Sequence, residues 1–303
     1  MTTRPSVPAA NDGSTAAPYL RTDFNMGNLS SLPETSKAPR GDLRAVLSGI
    51  KAAGYRGVQG GDAELPICRE LGLGCTTGWR VNKPGEAAPM IATWKKAGFE
   101  IATLHVGWGH ESDAEADVLV REIIAASRAE GLPVFIETHR ATITQDTWRT
   151  VKLIERNPDI RINLDFSHWY TGLEMPYGDF DEKIAFLAPV WERVRFVHAR
   201  CGNSSQMQVA LDHPSMAKAM EHFRQVWTLS FAGFLRSARP GDFLSFNPEL
   251  LHPEINYART FKDASGQYVE DCDRWQDALA LTAVAKECFA AARAQVGGAA
   301  AGR

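Results

Sequence analysis

Short apolar runs alternate with longer amphipathic stretches along most of the chain, and this alternation limits the fold more than any other feature. The clearest unit begins at Ser112. Ser112 followed by Glu115 has the spacing of a capping box, in which each residue satisfies an N–H group of the other. Leu119, Val120, Ile123 and Ile124 follow at helical spacing, and Gly131 supplies a stop. Val134, Phe135 and Ile136 then read as a buried parallel strand. The same alternation predicts strands over 20–24, 55–59, 74–79, 101–106, 161–165, 195–198 and 243–246. It predicts helices over 43–53, 63–71, 86–97, 144–156, 182–194, 214–235 and 274–292. Strands separated by helices form parallel sheets. Eight such pairs in about 270 residues point to an α/β fold closed into a single-domain (β/α)8 TIM barrel.

The expected organisation is a flexible leader over 1–18, the barrel over 19–290 and a flexible tail over 291–303. The leader has no apolar stretch of the kind a secretory signal carries. The tail is rich in alanine and glycine. Lys and Arg number 33 against 36 Asp and Glu, a net charge of -3, which disfavours nucleic acid as a partner. No apolar run approaches the roughly 20 residues that span a bilayer, so no membrane partner is expected. The five cysteines form no C-x-x-C pair, which suits a reducing, cytoplasmic setting.

Barrels of this kind place their chemistry at the C-terminal ends of the strands. Strand five ends in Glu137, Thr138, His139 and Arg140, and strand six in Asp165, Phe166, Ser167 and His168. Strand seven ends in His198, Ala199 and Arg200; Asn247, Pro248 and Glu249 follow strand eight. Strand four ends in His105, with Trp108 and His110 just beyond. Glu137, Asp165, His198 and Glu249 thus stand on four successive strands. Three carboxylates and one imidazole suit one divalent ion such as Mn²⁺, Mg²⁺ or Co²⁺, with Zn²⁺ also compatible. Residues i and i+2 share a face of a strand, so His198 can point with Arg200, and Glu137 with His139.

Each residue also has a plainer role open to it. Asp165 and Ser167 are good helix caps. Glu249 suits a first helical turn. A lone His198 fits a hydrogen-bonded core position, and Arg200 fits the surface. The combination of four ligand types on four neighbouring strand ends favours the metal reading.

The segments around Glu137–Arg140, Asp165–Trp169, His198–Arg200 and Asn247–Glu249 resemble the xylose isomerase-like barrel superfamily, often labelled sugar phosphate isomerase/epimerase. The resemblance spans roughly 19–290. In ketose 3-epimerases of that group the matching Glu, Asp, His and Glu hold one metal, and the two Glu form the acid/base pair. The resemblance therefore implies Glu137, Asp165, His198 and Glu249 as ligands, Glu137 and Glu249 as catalytic residues, and His168 as a substrate contact. Two departures stand out. Ser204 replaces the Arg expected six residues after the ligand His, and Ile143 replaces a Glu six residues after the first ligand. Arg200, His139 and Arg140 are the candidate substitutes.

The expected activity is abstraction of a proton next to a carbonyl in a small carbohydrate or hydroxy-carbonyl compound, as in an isomerase or epimerase. His168, Arg200, His105 and His139 would hold substrate oxygens, and Trp79, Trp108 and Trp169 would stack on its rings. The main alternative is a lyase or dehydratase that expels a group by β-elimination from the same first intermediate. An endonuclease IV-like phosphoesterase and a non-catalytic binding barrel rank lower. A homodimer or homotetramer is the expected assembly.

Overall fold

The computed structural model describes residues 7–301. Eight parallel strands close into one barrel: β1 (Tyr19–Asn25), β2 (Gly57–Gln59), β3 (Gly74–Val81), β4 (Ile101–Val106), β5 (Val134–Glu137), β6 (Ile162–Leu164), β7 (Val194–Ala199) and β8 (Phe243–Pro248). The ring closes where β1 pairs with β8, Arg21 beside Ser245. The helices are α1 (Leu43–Ala52), α2 (Glu64–Leu71), α3 (Ala87–Ala97), α4 (Asp113–Glu130), α5 (Thr147–Arg156), α6 (Ser167–Gly172), α7 (Phe180–Phe186), α8 (Ala188–Trp191), α9 (Met216–Leu235) and α10 (Arg274–Ala301). The single-domain (β/α)8 barrel expected from the alternation is therefore present.

Strand alternation divides the core. Val58, Leu104, Ile136, Leu164, Val197 and Phe246 point outward, into the layer shared with the helices. Ile101, Phe135, Phe196 and Phe243 form a separate cluster with Ala10. Each of these four lies an even number of residues before a polar strand end, so the face that fills the barrel below also carries the polar residues above. Gly74 makes room inside. A Cβ there would lie 2.4 Å from a Glu100 carboxylate oxygen and 2.6 Å from Arg21 Nη1. Arg21 needs that space to reach both Asp23 (2.9 Å) and Glu100 (2.6 Å).

Three segments differ from expectation. The expected helix over 182–194 is two short helices, α7 and α8, because Pro189 lacks an amide N–H and fits only the first turn of α8. Within the expected leader, residues 7–11 touch the barrel, while 12–17 are exposed. Val7 and Ala10 are buried, and Asn11 bridges to Asp242. The expected tail continues α10 as far as Ala301 and buries Ala292, as its alanines favour. Residues 1–6 and 302–303 of those two segments lie outside the described residues. A hairpin of β9 (Thr260–Lys262) and β10 (Tyr268–Glu270) follows β8 and was not expected.

No helix among the described residues is long and apolar enough to cross a membrane.

Candidate active site and metal centre

A cleft of about 520 Å³ opens at the C-terminal end of the barrel. Glu137, His198, Glu249, His105 and Trp79 line it, together with Asn25, Gln59 and Thr103. Each polar residue among these except Thr103, which lies in the middle of β4, stands at or near the end of its strand. The register sets Glu137 beside Asn163 and His198 beside Asn247.

His198 is the hub. Its Nε2 lies 2.6 Å from Gln59 Oε1, an acceptor, so Nε2 carries the proton. Its Nδ1 then faces Glu137 Oε2 at 3.0 Å and Glu249 Oε1 at 3.7 Å. Asn163 Nδ2 donates to Glu137 Oε2 at 3.0 Å and approaches His198 Nδ1 at 3.1 Å. Asn25 Nδ2 donates to Glu249 Oε1 at 3.1 Å. Asn25 and Asn247 also donate to Gln59 Oε1. Burial works against a charged imidazole, but Glu249 and Glu137 outweigh it and lift His198 to about 9. Burial likewise opposes ionisation of Glu137, yet His105 and His198 hold its carboxyl well below the usual range.

Metal donors converge in two overlapping groups. One ligand atom each of Glu137, His198 and Glu249 lies within 4.8 Å of the others, and so does one each of Glu137, Asp165 and His168. Glu137 Oε1 is buried and has no hydrogen-bond partner, although His105 Nε2 stands 3.1 Å away. An unpartnered carboxylate oxygen among carboxylate and imidazole donors is what a divalent cation would use, so the residues fit one. The four expected ligands do not form one group, because Arg200 stands between two of them. Its Nη2 donates to Asp165 Oδ2 at 2.6 Å and to Glu249 Oε2 at 2.7 Å. Asp165 is not the helix cap, since Phe166 holds that position of α6, but its Oδ1 accepts from the Ser167 N–H (3.0 Å) at the start of that helix.

The expected substrate contacts divide. His105 faces the cleft, about one third exposed. His139 lies behind it at 4.3 Å between ring centroids, the rings tilted by 41°, and His168 lies behind His139 at 3.9 Å, tilted by 47°. Burial, then the neighbouring His168 and His105, push His139 down to about 2. His168 is fully buried rather than facing the mouth, and both its ring nitrogens lack hydrogen-bond partners. Burial and the nearby Arg200 hold it well below its ordinary value, so it is neutral. Trp169 is not a platform for substrate. It is fully buried, and its indole N–H donates to the Thr144 carbonyl at 2.8 Å. It is the third residue of α6, which begins as soon as β6 ends and turns the ring into the helix layer. Arg200 is buried rather than open to ligand, and its guanidinium lies 4.2 Å from the Tyr257 ring centre. Trp108 is half-exposed at the rim under the Arg80 guanidinium.

Gln59, Asn163 and Tyr257 were not anticipated as site residues, whereas Asn25 was legible as a polar residue at the end of strand one. Asn163 and Asn25 were within reach of the i, i+2 rule, Asn163 sharing a face with Asp165. Tyr257 lies in a loop, where no periodicity marks it.

No family model matches the chain, and no curated protein matches it. Solved structures do. A D-tagatose 3-epimerase-like protein superposes with a TM-score of 0.54 at 11% identity, covering 91% of this chain and 100% of the other. A xylose isomerase-like TIM barrel protein from Mycobacterium smegmatis, solved with magnesium, gives 0.51 at 12% identity, covering 93% and 99%. The probable 3-DHS dehydratase AsbF from Bacillus anthracis gives 0.50 at 13% identity, covering 78% and 94%. At such identities the likeness concerns the fold alone: the chain shares the TIM-barrel fold of these xylose isomerase-like and epimerase-like proteins.

Proposed function

We propose that the barrel mouth is the active site of a sugar isomerase or epimerase-like enzyme, which removes a proton next to a carbonyl. One observation carries the reading. Two carboxylates, Glu137 and Glu249, flank one imidazole, His198, on the inner wall of a cleft open to solvent. Two carboxylates at one carbon centre can serve as base and acid. The magnesium in a protein of like fold and the epimerase-like neighbour support the assignment.

Glu137, His198 and Glu249 would hold one divalent ion, with Asp165 as a fourth ligand. When bound, the ion supplies Lewis-acid polarisation of the carbonyl group. The protein's own residues do the rest. Glu249 is more open to the cleft than Glu137, so it is the better placed base. Glu137, ionised at rest, would pass on to the substrate a proton received from His105, 3.1 Å from its Oε1, while Glu249 releases the proton it removed to water in the open cleft. With an ion on Nδ1, Gln59 would keep the remaining proton of His198 on Nε2, and Asn25 orients Glu249. Trp79, 71% exposed at the cleft, offers a flat face to a sugar ring.

A panel of ketoses and 3-keto-glycosides, incubated with enzyme and Mn²⁺, tests the reaction class. A product of unchanged mass and new configuration supports isomerase or epimerase chemistry. Loss of water or a glycosyl group with new ultraviolet absorbance would make the protein a lyase instead, the class to which the dehydratase neighbour belongs.

A further inference from the structure

We infer that Arg200 is a resident cation that competes with the divalent ion for Asp165 and shares Glu249 with it. This rests on the metal reading above. Both distances from Nη2, 2.6 Å to Asp165 and 2.7 Å to Glu249, lie at the short end for charge-assisted hydrogen bonds. The guanidinium is buried, and those two carboxylates outweigh its desolvation and keep it charged. Among the described residues, neither group of converging donors contains both Asp165 and Glu249, the two residues that Arg200 bridges.

The charges explain why such a cation is needed. Glu137, Asp165 and Glu249 bring three negative charges into one buried cluster. Without a neutralising partner the carboxylates repel and pay a desolvation penalty. Arg200 removes part of that charge permanently. A dication that draws on Asp165 must take Oδ2 from the guanidinium, because Oδ1 already accepts from the Ser167 N–H and Oγ; Glu249 can offer the ion Oε1, the oxygen that faces His198, while its Oε2 stays beside the same guanidinium. The ion must also bear the repulsion of a like charge one residue shell away. Arg200 has an alternative contact at hand: it already lies over the Tyr257 ring, and its Nη1 is free of hydrogen bonds. The consequence is a centre whose metal affinity is held down by its own arginine. The charge change is local, since no other basic side chain bridges these two carboxylates among the described residues.

The test is Mn²⁺ binding by isothermal titration calorimetry to the full chain after stripping with a chelator, comparing wild type, Arg200→Met and Arg200→Gln. We expect both variants to bind Mn²⁺ about tenfold or more tightly than wild type, because a like charge has gone. Both should melt at a lower temperature than wild type in chelator, and Mn²⁺ should restore them. A residue with only a structural role would weaken metal binding when replaced, not strengthen it. Equal or weaker binding by the variants, with wild type binding normally, would overturn the inference and leave the metal reading intact. If neither wild type nor variant binds Mn²⁺, the metal reading fails and the inference with it. If Arg200→Met does not fold even with Mn²⁺, the polar Arg200→Gln decides.

Discussion

Glu137 sits where burial, two imidazoles and an amide all act on one carboxylate. Its replacement by Gln keeps the shape and removes the charge. We expect kcat/KM to fall by about 10²–10⁴-fold, the usual contribution of a general acid or base. A fall under tenfold in a steady-state assay would remove it from the acid/base pair. Asp277 on α10 gives a second residue-scale prediction. Burial pushes it up to about 6 from an ordinary 3.8, against a hydrogen bond with Cys272. An acid raised on folding binds more protons in the native state, so stability falls as pH rises between those two values. Asp277→Asn should flatten that slope in denaturant melts taken across the same range. Glu137, Asp165, His198 and Glu249 were legible as candidates because each stands at or next to a strand end. The interposition of Arg200 was not, since spacing shows that His198 and Arg200 share a face but not how far a guanidinium reaches. Gln59 was hidden for a different reason: an amide has no charge to mark it, and its importance comes from four partners on four other strands.

At the scale of elements, local chemistry was the best guide. Ser112 and Glu115 form the anticipated capping box. Glu115 Oε2 accepts from the Ser112 N–H at 2.8 Å, and Ser112 Oγ accepts from the Glu115 N–H at 3.4 Å. Ser112→Ala should cost about 1 kcal/mol, measured by urea melts at neutral pH. No change would mean that the cap hydrogen bonds are replaced by water at no cost. Helix periodicity failed at Pro189, where an apolar stripe continues across a residue that cannot stay in a helix interior. It failed again at Trp169, because a helix only six residues long has too few turns to show a stripe. The β9–β10 hairpin has strands of three residues, too short for alternation to register. Its turn was readable nonetheless: Asp263 accepts from the Ser265 and Gln267 N–H groups, and Gly266 takes a positive φ of 82°.

For the molecule as a whole, the closed barrel followed from eight alternations, since each strand buried on both faces demands a helix layer outside and a filled interior inside. The prolines and alanines before β1 carry no periodicity. Val7 and Ala10 are nonetheless buried where the barrel needs a floor. The same architecture concentrates the polar inward residues at one end, where the cleft lies, and this is the basis of the proposed chemistry. Solvent exchange tests it most directly. A ketose substrate incubated in deuterated water with Mn²⁺ and wild-type enzyme should gain one deuteron at the carbon next to the carbonyl, read by mass spectrometry. The doubly substituted Glu137→Gln, Glu249→Gln protein should catalyse no such gain. Exchange at the wild-type rate in that double variant would contradict the account.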